Sequence, residues 1–370
     1  MKILMVFGTR PEAIKMCPLV IELKKNDNIQ CIVCLTGQHR EMLEQVMDVF
    51  GIIEDYNLNI MRNRQSLTTI TTTILEKMES ILQKENPNLV LVHGDTTTSY
   101  AAALAAFYQK IPVGHVEAGL RTGDIYSPFP EEMNRLLTDR IATVYFAPTH
   151  INEENLIREG ISKGIYVTGN TVIDAFQYTV SENYRFICDK LQTVDFDSKR
   201  VILLTAHRRE NLGIGIENIC RAVKKIAAEY SDVQFVYPVH LNPAVRDTVF
   251  KMLIDIDNVM LIDPVNVLDM HNMMARCFMV MTDSGGIQEE APHFGKPVLV
   301  LRTETERPEA VAAGTVKVIG VDESVIYAEV KKLLDNRDIY EKMANAVNPY
   351  GDGKASERIC KVLKRSEERR

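Results

Sequence analysis

Short, almost unbroken apolar runs alternate with longer amphipathic segments along the whole chain, and this rhythm narrows the fold more than any single motif. The first half carries "KILMVFG", "IQCIVCL", "NLVLVHG", "IPVGHVE" and "TVYFAPT". The second carries "RVILLTA", "VQFVYPV", "VMLIDP", "CFMVMTD", "KPVLVLR" and "VKVIG". Between them lie helical patterns such as "PLVIELKKN" and "SLTTITTTILEKMESILQKE", with apolar residues three and four apart. Runs that lack polar alternation belong to strands buried on both faces. Strand, helix and strand in repetition give parallel sheets with helices on both sides, the α/β class. At 370 residues the chain is too long for one comfortable core, so two domains are expected. The rhythm breaks over residues 166–200, which reads as a strand, a turn and a long polar helical stretch. The boundary is therefore placed near residue 172, with one Rossmann-like domain over 1–172 and a second over 173–352. The two are expected to face each other across a cleft, and ligands of such sheets bind beyond the carboxyl ends of the strands.

Charge and cysteine usage narrow the function classes. Acidic residues outnumber basic ones by 50 to 43 and the basic residues are dispersed, so no nucleic-acid footprint is expected. No apolar stretch approaches the roughly 20 residues of a membrane-spanning helix, and residues 2–8 read as a strand rather than a secretory leader. Seven cysteines form an odd set without framework spacing, which points to reduced thiols and a cytoplasmic location. Cys31 and Cys34 have CxxC spacing, but residues three apart on a strand point to opposite faces, so a redox pair is not expected.

Several polar residues stand where strands should end. "FGTRPEAIK" leads from the first strand into a helix, with Gly8 at the turn, Pro11 at a first helical position, and Arg10 and Lys15 as cations near the helix start. It reads either as an anion site or as a turn with solvated cations. "MTDSGGIQEEAPHFGKP" places Ser284, Gly285 and Gly286 between a strand and a helix, where backbone N–H groups can cradle a diphosphate. Glu290, one turn on, can accept two ribose hydroxyls or serve only the helix dipole, and Arg307 can add charge to the phosphates. There is no GxGxxG and no Walker A pattern, so no dinucleotide cofactor and no ATP hydrolysis are expected.

Asp95, Glu117, Glu131 and His207 are the candidate proton-transfer residues. Glu131 opens a helix in "FPEEMNR", with Arg135 one turn on, and can instead be a capping acid. His207, in "AHRREN", has a structural reading beside the catalytic one. The pairs His93/Asp95 and His115/Glu117 make a di-metal site conceivable. The favoured reading has the carboxylates facing the cleft, the histidines supporting loops, and no metal. Several acids beside a bound diphosphate suit proton removal and return, each pKa tuned by its neighbours.

The blocks "FGTRPEAIKM", "TGQHREML", "HGDTTTSYAAALAAFY", "VGHVEAGLRTGDIYSPFPEEMNR", "TAHRREN", "VYPVHLNP", "TDSGGIQEEAP" and "NPYGDGKASERI" together resemble the non-hydrolysing UDP-N-acetylglucosamine 2-epimerases, from Gly8 to Ile359. The resemblance implies a GT-B fold, a homodimer, and a C-terminal helix (about 353–370) returning to the first domain. It implies interconversion of UDP-N-acetylglucosamine and UDP-N-acetylmannosamine, supplying N-acetylmannosamine units for bacterial cell-surface polysaccharide. The route would be anti elimination of UDP to a 2-acetamidoglucal, then re-addition, without cofactor or metal. It gives Asp95, Glu117, Glu131 and His207 to catalysis, Arg10 and Lys15 to the phosphates or sugar, and Ser284, Gly285, Gly286, Glu290 and Arg307 to UDP, with Arg135 and Met270 as further substrate contacts. A second UDP-N-acetylglucosamine would act as an allosteric activator at Gln38, Arg64, Arg208 and His240. Two departures stand out: Glu41 where relatives often have glutamine, and Val267 and Met270 where relatives place aromatics against uracil. A GT-B glycosyltransferase and a hydrolysing 2-epimerase that releases free N-acetylmannosamine are the alternative activities.

Overall fold

A computed structural model of the chain describes residues 1–37, 40–62 and 65–367. The chain divides into two compact units, Met1–Tyr178 with Tyr350–Arg370, and Thr179–Pro349. Each is built on one parallel sheet, and such a pair of Rossmann-like α/β units is the kind that makes up the GT-B fold.

The first unit has strands β1 (Lys2–Phe7), β2 (Gln30–Leu35), β3 (Tyr56–Asn57), β4 (Leu89–His93), β5 (Val113–Val116), β6 (Val144–Ala147) and β7 (Ile165–Val167), in the order β3-β2-β1-β4-β5-β6-β7. The second has β8 (Arg200–Thr205), β9 (Val233–Pro238), β10 (Val259–Ile262), β11 (Met279–Thr282), β12 (Val298–Val300) and β13 (Val316–Val318), in the order β10-β9-β8-β11-β12-β13. Successive residues of β1, from Ile3 to Phe7, and of β8, from Ile202 to Leu204, have no exposed surface. That burial on both faces is why these strands are continuously apolar. Each such aliphatic side chain contributes about 1.5–3 kcal/mol relative to exposure.

Order reverses between β1 and β4 in one sheet, and between β8 and β11 in the other. At such switch points the loops leaving adjacent strands diverge to opposite faces and open a crevice. Asp95 follows β4 and Glu117 follows β5, while His207 follows β8 and Ser284 follows β11.

One sequence expectation needs revision. The polar stretch within 166–200 is not a long helix: a helix covers Thr171–Thr179, and of the rest only the short 3-10 turn Asp189–Thr193 is helical. Buried Asp269 anchors that segment, accepting the N–H groups of Ile187 and Cys188 at 2.9 Å each and the Tyr184 hydroxyl at 2.8 Å. Contacts tethered to another element, rather than helical hydrogen bonds, satisfy this backbone. Val267, where relatives place an aromatic, is 4% exposed and packs inward. Cys31 and Cys34 separate as strand geometry requires, contacting the sulfurs of Met5 and Met78, with burial pushing both thiols up to about 12.

The helix Ala355–Glu367 belongs to the first unit. Asp174 caps its start, accepting the N–H groups of Ser356 at 2.7 Å and Ala355 at 3.1 Å. Among the described residues no helix is long and apolar enough to cross a membrane.

Candidate active site

In the first unit, four loops at the carboxyl edge bring ionisable groups together. The helix Arg10–Lys24 starts with a capping box: Thr9 accepts the Glu12 N–H, and Glu12 accepts the Thr9 N–H at 2.8 Å. The other Glu12 oxygen accepts the hydroxyls of Thr96 at 2.7 Å and Ser99 at 3.1 Å. Glu12 therefore ties the loop after β1 to the loop after β4. Burial raises its carboxyl above the usual range, although hydrogen bonds from Thr96, Gly8 and Thr9 oppose that shift.

One turn into this helix, buried Lys15 donates to Glu117, which also accepts from Asn170 at 3.3 Å and lies 3.9 Å from His93 Nε2. Glu117 has a φ of +67°, a left-handed conformation rare for a residue with a side chain. Gly94 has a φ of +62°, and a Cβ there would come within 2.9 Å of Glu117 Oε2. The glycine is needed both for its conformation and for the carboxylate beside it.

Half-buried Asp95 accepts two bonds from Arg135, at 2.6 Å from Nη2 and 3.2 Å from Nε. Arg135 also donates to Glu132 at 2.7 Å, and Asn134 holds the Asp95 carbonyl at 2.9 Å. Burial by itself raises the Asp95 carboxyl, but the Arg135 guanidinium, followed by Lys15 and His93, outweighs it and holds the group below the usual carboxylate range. Glu131 opens the helix Glu131–Ile141, one turn before Arg135 and so on its side of the helix. Its Oε2 is buried and has no hydrogen-bond partner among the described residues.

In the second unit, the hydroxyls of Thr205 and Thr282 meet at 2.7 Å across β8 and β11 and align the residues that follow. Fully buried Asp283 accepts the N–H groups of His207 and Arg208 at 2.7 Å each and the Asn211 amide at 3.0 Å. The His207 ring stacks on His240, centroids 5.1 Å apart and planes 7° from parallel. Burial pushes the His207 pKa below the usual value; Asp283 opposes the shift, and His240 and Arg208 reinforce it.

The turn Ser284–Gly286 leads into the short helix Gly285–Glu290. Arg307 lies against it: a Cβ on Gly285 would be 3.0 Å from Arg307 Nη1. Glu289 holds the guanidinium, with Nε and Nη2 each 2.8 Å from Oε1. Glu290 lies 3.8 Å from His271 Nε2, and a Cβ on Gly286 would lie 3.4 Å from Glu290 Oε1.

The family model described as UDP-N-acetylglucosamine 2-epimerase matches residues 21–364. This chain belongs to the UDP-N-acetylglucosamine 2-epimerase family. A Thermotoga maritima relative is 59% identical over 98% of this chain and 96% of its own length. The UDP-N-acetylglucosamine 2-epimerase of Bacillus subtilis is 55% identical over 98% of this chain and 95% of its own. The solved Neisseria meningitidis UDP-GlcNAc 2-epimerase, bound to UDP-GlcNAc, superposes with a TM-score of 0.90 at 51% identity, covering 99% of this chain and all of the other.

Within this epimerase-family fold, Lys15, Asp95, Glu117 and Arg135 form one connected cluster. Arg10 opens the same helix as Lys15, and Glu131 the same helix as Arg135. In the second unit His207, Arg208 and His240 lie together, while Ser284, Gly285, Gly286, Glu290 and Arg307 gather at the β11 turn and Met270 lies on the helix Val267–Arg276. Gln38 and Arg64 lie outside the described residues, as does the side chain of Glu41. Among the described residues no group of three or more His, Cys, Asp or Glu side chains converges to hold a metal. Sequence reasoning did not single out Glu12, Glu132, Asp139 or Asp283. For Glu12 a signal existed in "TRPE", the T-x-x-E pattern of a capping box.

Proposed function

We propose that the chain interconverts UDP-N-acetylglucosamine and UDP-N-acetylmannosamine by inverting carbon 2 of the sugar. The observation that carries this reading is the pair of acids Asp95 and Glu117, each held by its own cation, Arg135 and Lys15. Carbon 2 bears no adjacent ring carbonyl, so its proton is not acidic enough for simple abstraction and return. Anti elimination avoids that difficulty. A base takes the proton from carbon 2, its C–H electron pair becomes the carbon 1–carbon 2 double bond, and the carbon 1–oxygen bond breaks with its pair leaving on UDP. Re-addition of UDP to the 2-acetamidoglucal, with a proton delivered to the other face, gives the epimer. Atoms and electrons balance without any redox partner.

Asp95, Glu117, Glu131 and His207 are the proposed proton-transfer groups, with Arg10, Lys15 and Arg135 countering developing negative charge. Asp95, kept ionised by Arg135, holds no proton to donate before substrate arrives. The turn Ser284–Gly286 with Arg307 would receive the diphosphate, Glu290 the ribose hydroxyls, and Met270 a face of the uracil. The protein is further proposed to work in the cytoplasm as a homodimer. A second UDP-N-acetylglucosamine would bind as activator through Arg208 and His240, with Gln38 and Arg64.

The test is incubation of purified protein with UDP-N-acetylglucosamine, followed by separation of products. UDP-N-acetylmannosamine is expected. Free N-acetylmannosamine with UDP would replace this reading by the hydrolysing activity, and transfer of the sugar to an added acceptor would replace it by a glycosyltransferase.

A further inference from the structure

The strongest feature that the proposed chemistry does not use lies beneath the acids. His115, on β5, has no exposed surface, and its two ring nitrogens are both engaged. Nδ1 is 2.6 Å from Asp139 Oδ1, and Nε2 is 2.8 Å from the Gly94 carbonyl oxygen. A carbonyl oxygen only accepts, so Nε2 carries a proton. Asp139 is also buried, and its other oxygen accepts from Arg121 at 2.7 Å and from the Gly119 N–H at 3.3 Å. The ring is thus tethered at both nitrogens, to the Gly94 carbonyl and to Asp139.

Arg121 is shared between Asp139 and Glu159, whose oxygens accept at 2.6 Å and 2.8 Å. Asp139 is thus held from two sides, by the His115 ring and by Arg121.

The bond to Gly94 gives this arrangement a consequence for the acids. The Gly94 carbonyl belongs to the peptide link into Asp95, and the Gly94 N–H is bonded to the Val116 carbonyl at 2.9 Å. Val116 in turn precedes Glu117, which sits in its left-handed conformation. The loops carrying the two acids are therefore locked to one another through one glycine, and the ring of His115 closes the lock from below.

We propose that His115 is a positioning residue, which clamps the Gly94 carbonyl and so fixes Asp95 relative to Glu117 for proton transfer. The clamp stands on the hydrogen-bond geometry, while the catalytic consequence rests on the proposed epimerase reading.

Two measurements on the full-length protein test the two halves. Nitrogen-detected NMR of histidine-labelled wild-type protein should show a proton on His115 Nε2. A ring whose Nε2 carries no proton overturns the clamp. Turnover of His115→Asn should then be measured per UDP-binding site, counted by calorimetry so that misfolded protein does not enter the rate. The expected result is a kcat lower by about 10–100-fold with KM nearly unchanged, because sub-ångström misplacement of reacting groups costs rate rather than binding. A kcat per binding site equal to wild type overturns the positioning role. Should His115→Asn not fold, Asp139→Asn, which keeps shape while weakening the second tether of the ring, is expected to lower kcat per site in the same way. An undiminished kcat in that variant overturns the proposal. A wild-type protein that does not epimerise removes the proposed function and the catalytic half with it, while the NMR result still decides the clamp.

Discussion

Asp283 holds His207 at two points: one carboxylate oxygen accepts the His207 backbone N–H at 2.7 Å, and the other lies 3.5 Å from the ring Nδ1. The carboxylate is fully buried while the ring is 39% exposed, so the fixed anion lies on the protein side of a histidine that can still be reached. A buried acid that orients a histidine is a recurrent device of acid–base sites.

The sign of its electrostatic effect can be measured. Burial depresses the His207 pKa below the 6.5 of a free histidine, and Asp283 is the neighbour that opposes this. Asp283→Asn should therefore lower the His207 pKa further, as read by NMR titration of the ring; a rise would contradict the arrangement. The folded state favours the neutral ring, so this group contributes stability that is fully present above the unfolded pKa and is lost as pH falls below it. Denaturant midpoints should accordingly decline as pH drops below 6.5, less so in His207→Asn.

Asp95 and Glu117 should separate catalysis from binding. Asp95→Asn or Glu117→Gln is expected to cut turnover by roughly 10²–10⁴-fold if either group transfers a proton. UDP affinity, measured by calorimetry, should stay within a few-fold of wild type. Unchanged turnover in both variants would remove the two acids from the mechanism.

Glu12 makes a structural prediction. Glu12→Ala leaves the N–H groups of Gly8 and Thr9 without their acceptor and removes the acceptor that the Thr96 and Ser99 hydroxyls share, with the His93 carbonyl still open to Ser99. Losing the cap and stranding buried donors should destabilise the protein by about 2–4 kcal/mol in equilibrium denaturation. A loss under 1 kcal/mol would show that the capping box is dispensable.

Gly285 tests the nucleotide turn. A methyl group there meets the Arg307 guanidinium at 3.0–3.3 Å, and Glu289 anchors that guanidinium so that it cannot simply swing aside. Gly285→Ala should weaken UDP binding about tenfold, or ~1.4 kcal/mol, while the protein stays folded at the assay temperature. Unaltered affinity would place the diphosphate elsewhere.

The sheets were legible because strands covered on both sides must be apolar at every position, and a run such as "RVILLT" admits few other readings. Strand β3 was not, since the two residues Tyr56 and Asn57 carry no pattern. Asp95 and Glu117 were legible as acids at the ends of apolar strands. Their partners were not, because Arg135 and Asn170 come from elements far along the chain. Asp139 reads in the sequence as an ordinary helix charge, and only the fold shows it buried against His115 and Arg121.

The central claim is inversion at carbon 2 through proton exchange, and a proton NMR time course with UDP-N-acetylglucosamine in deuterium oxide tests it most directly. The account predicts growth of UDP-N-acetylmannosamine with deuterium entering carbon 2 of both nucleotide sugars. A spectrum in which neither sugar is exchanged or converted, or one that yields only UDP and free sugar, would contradict it.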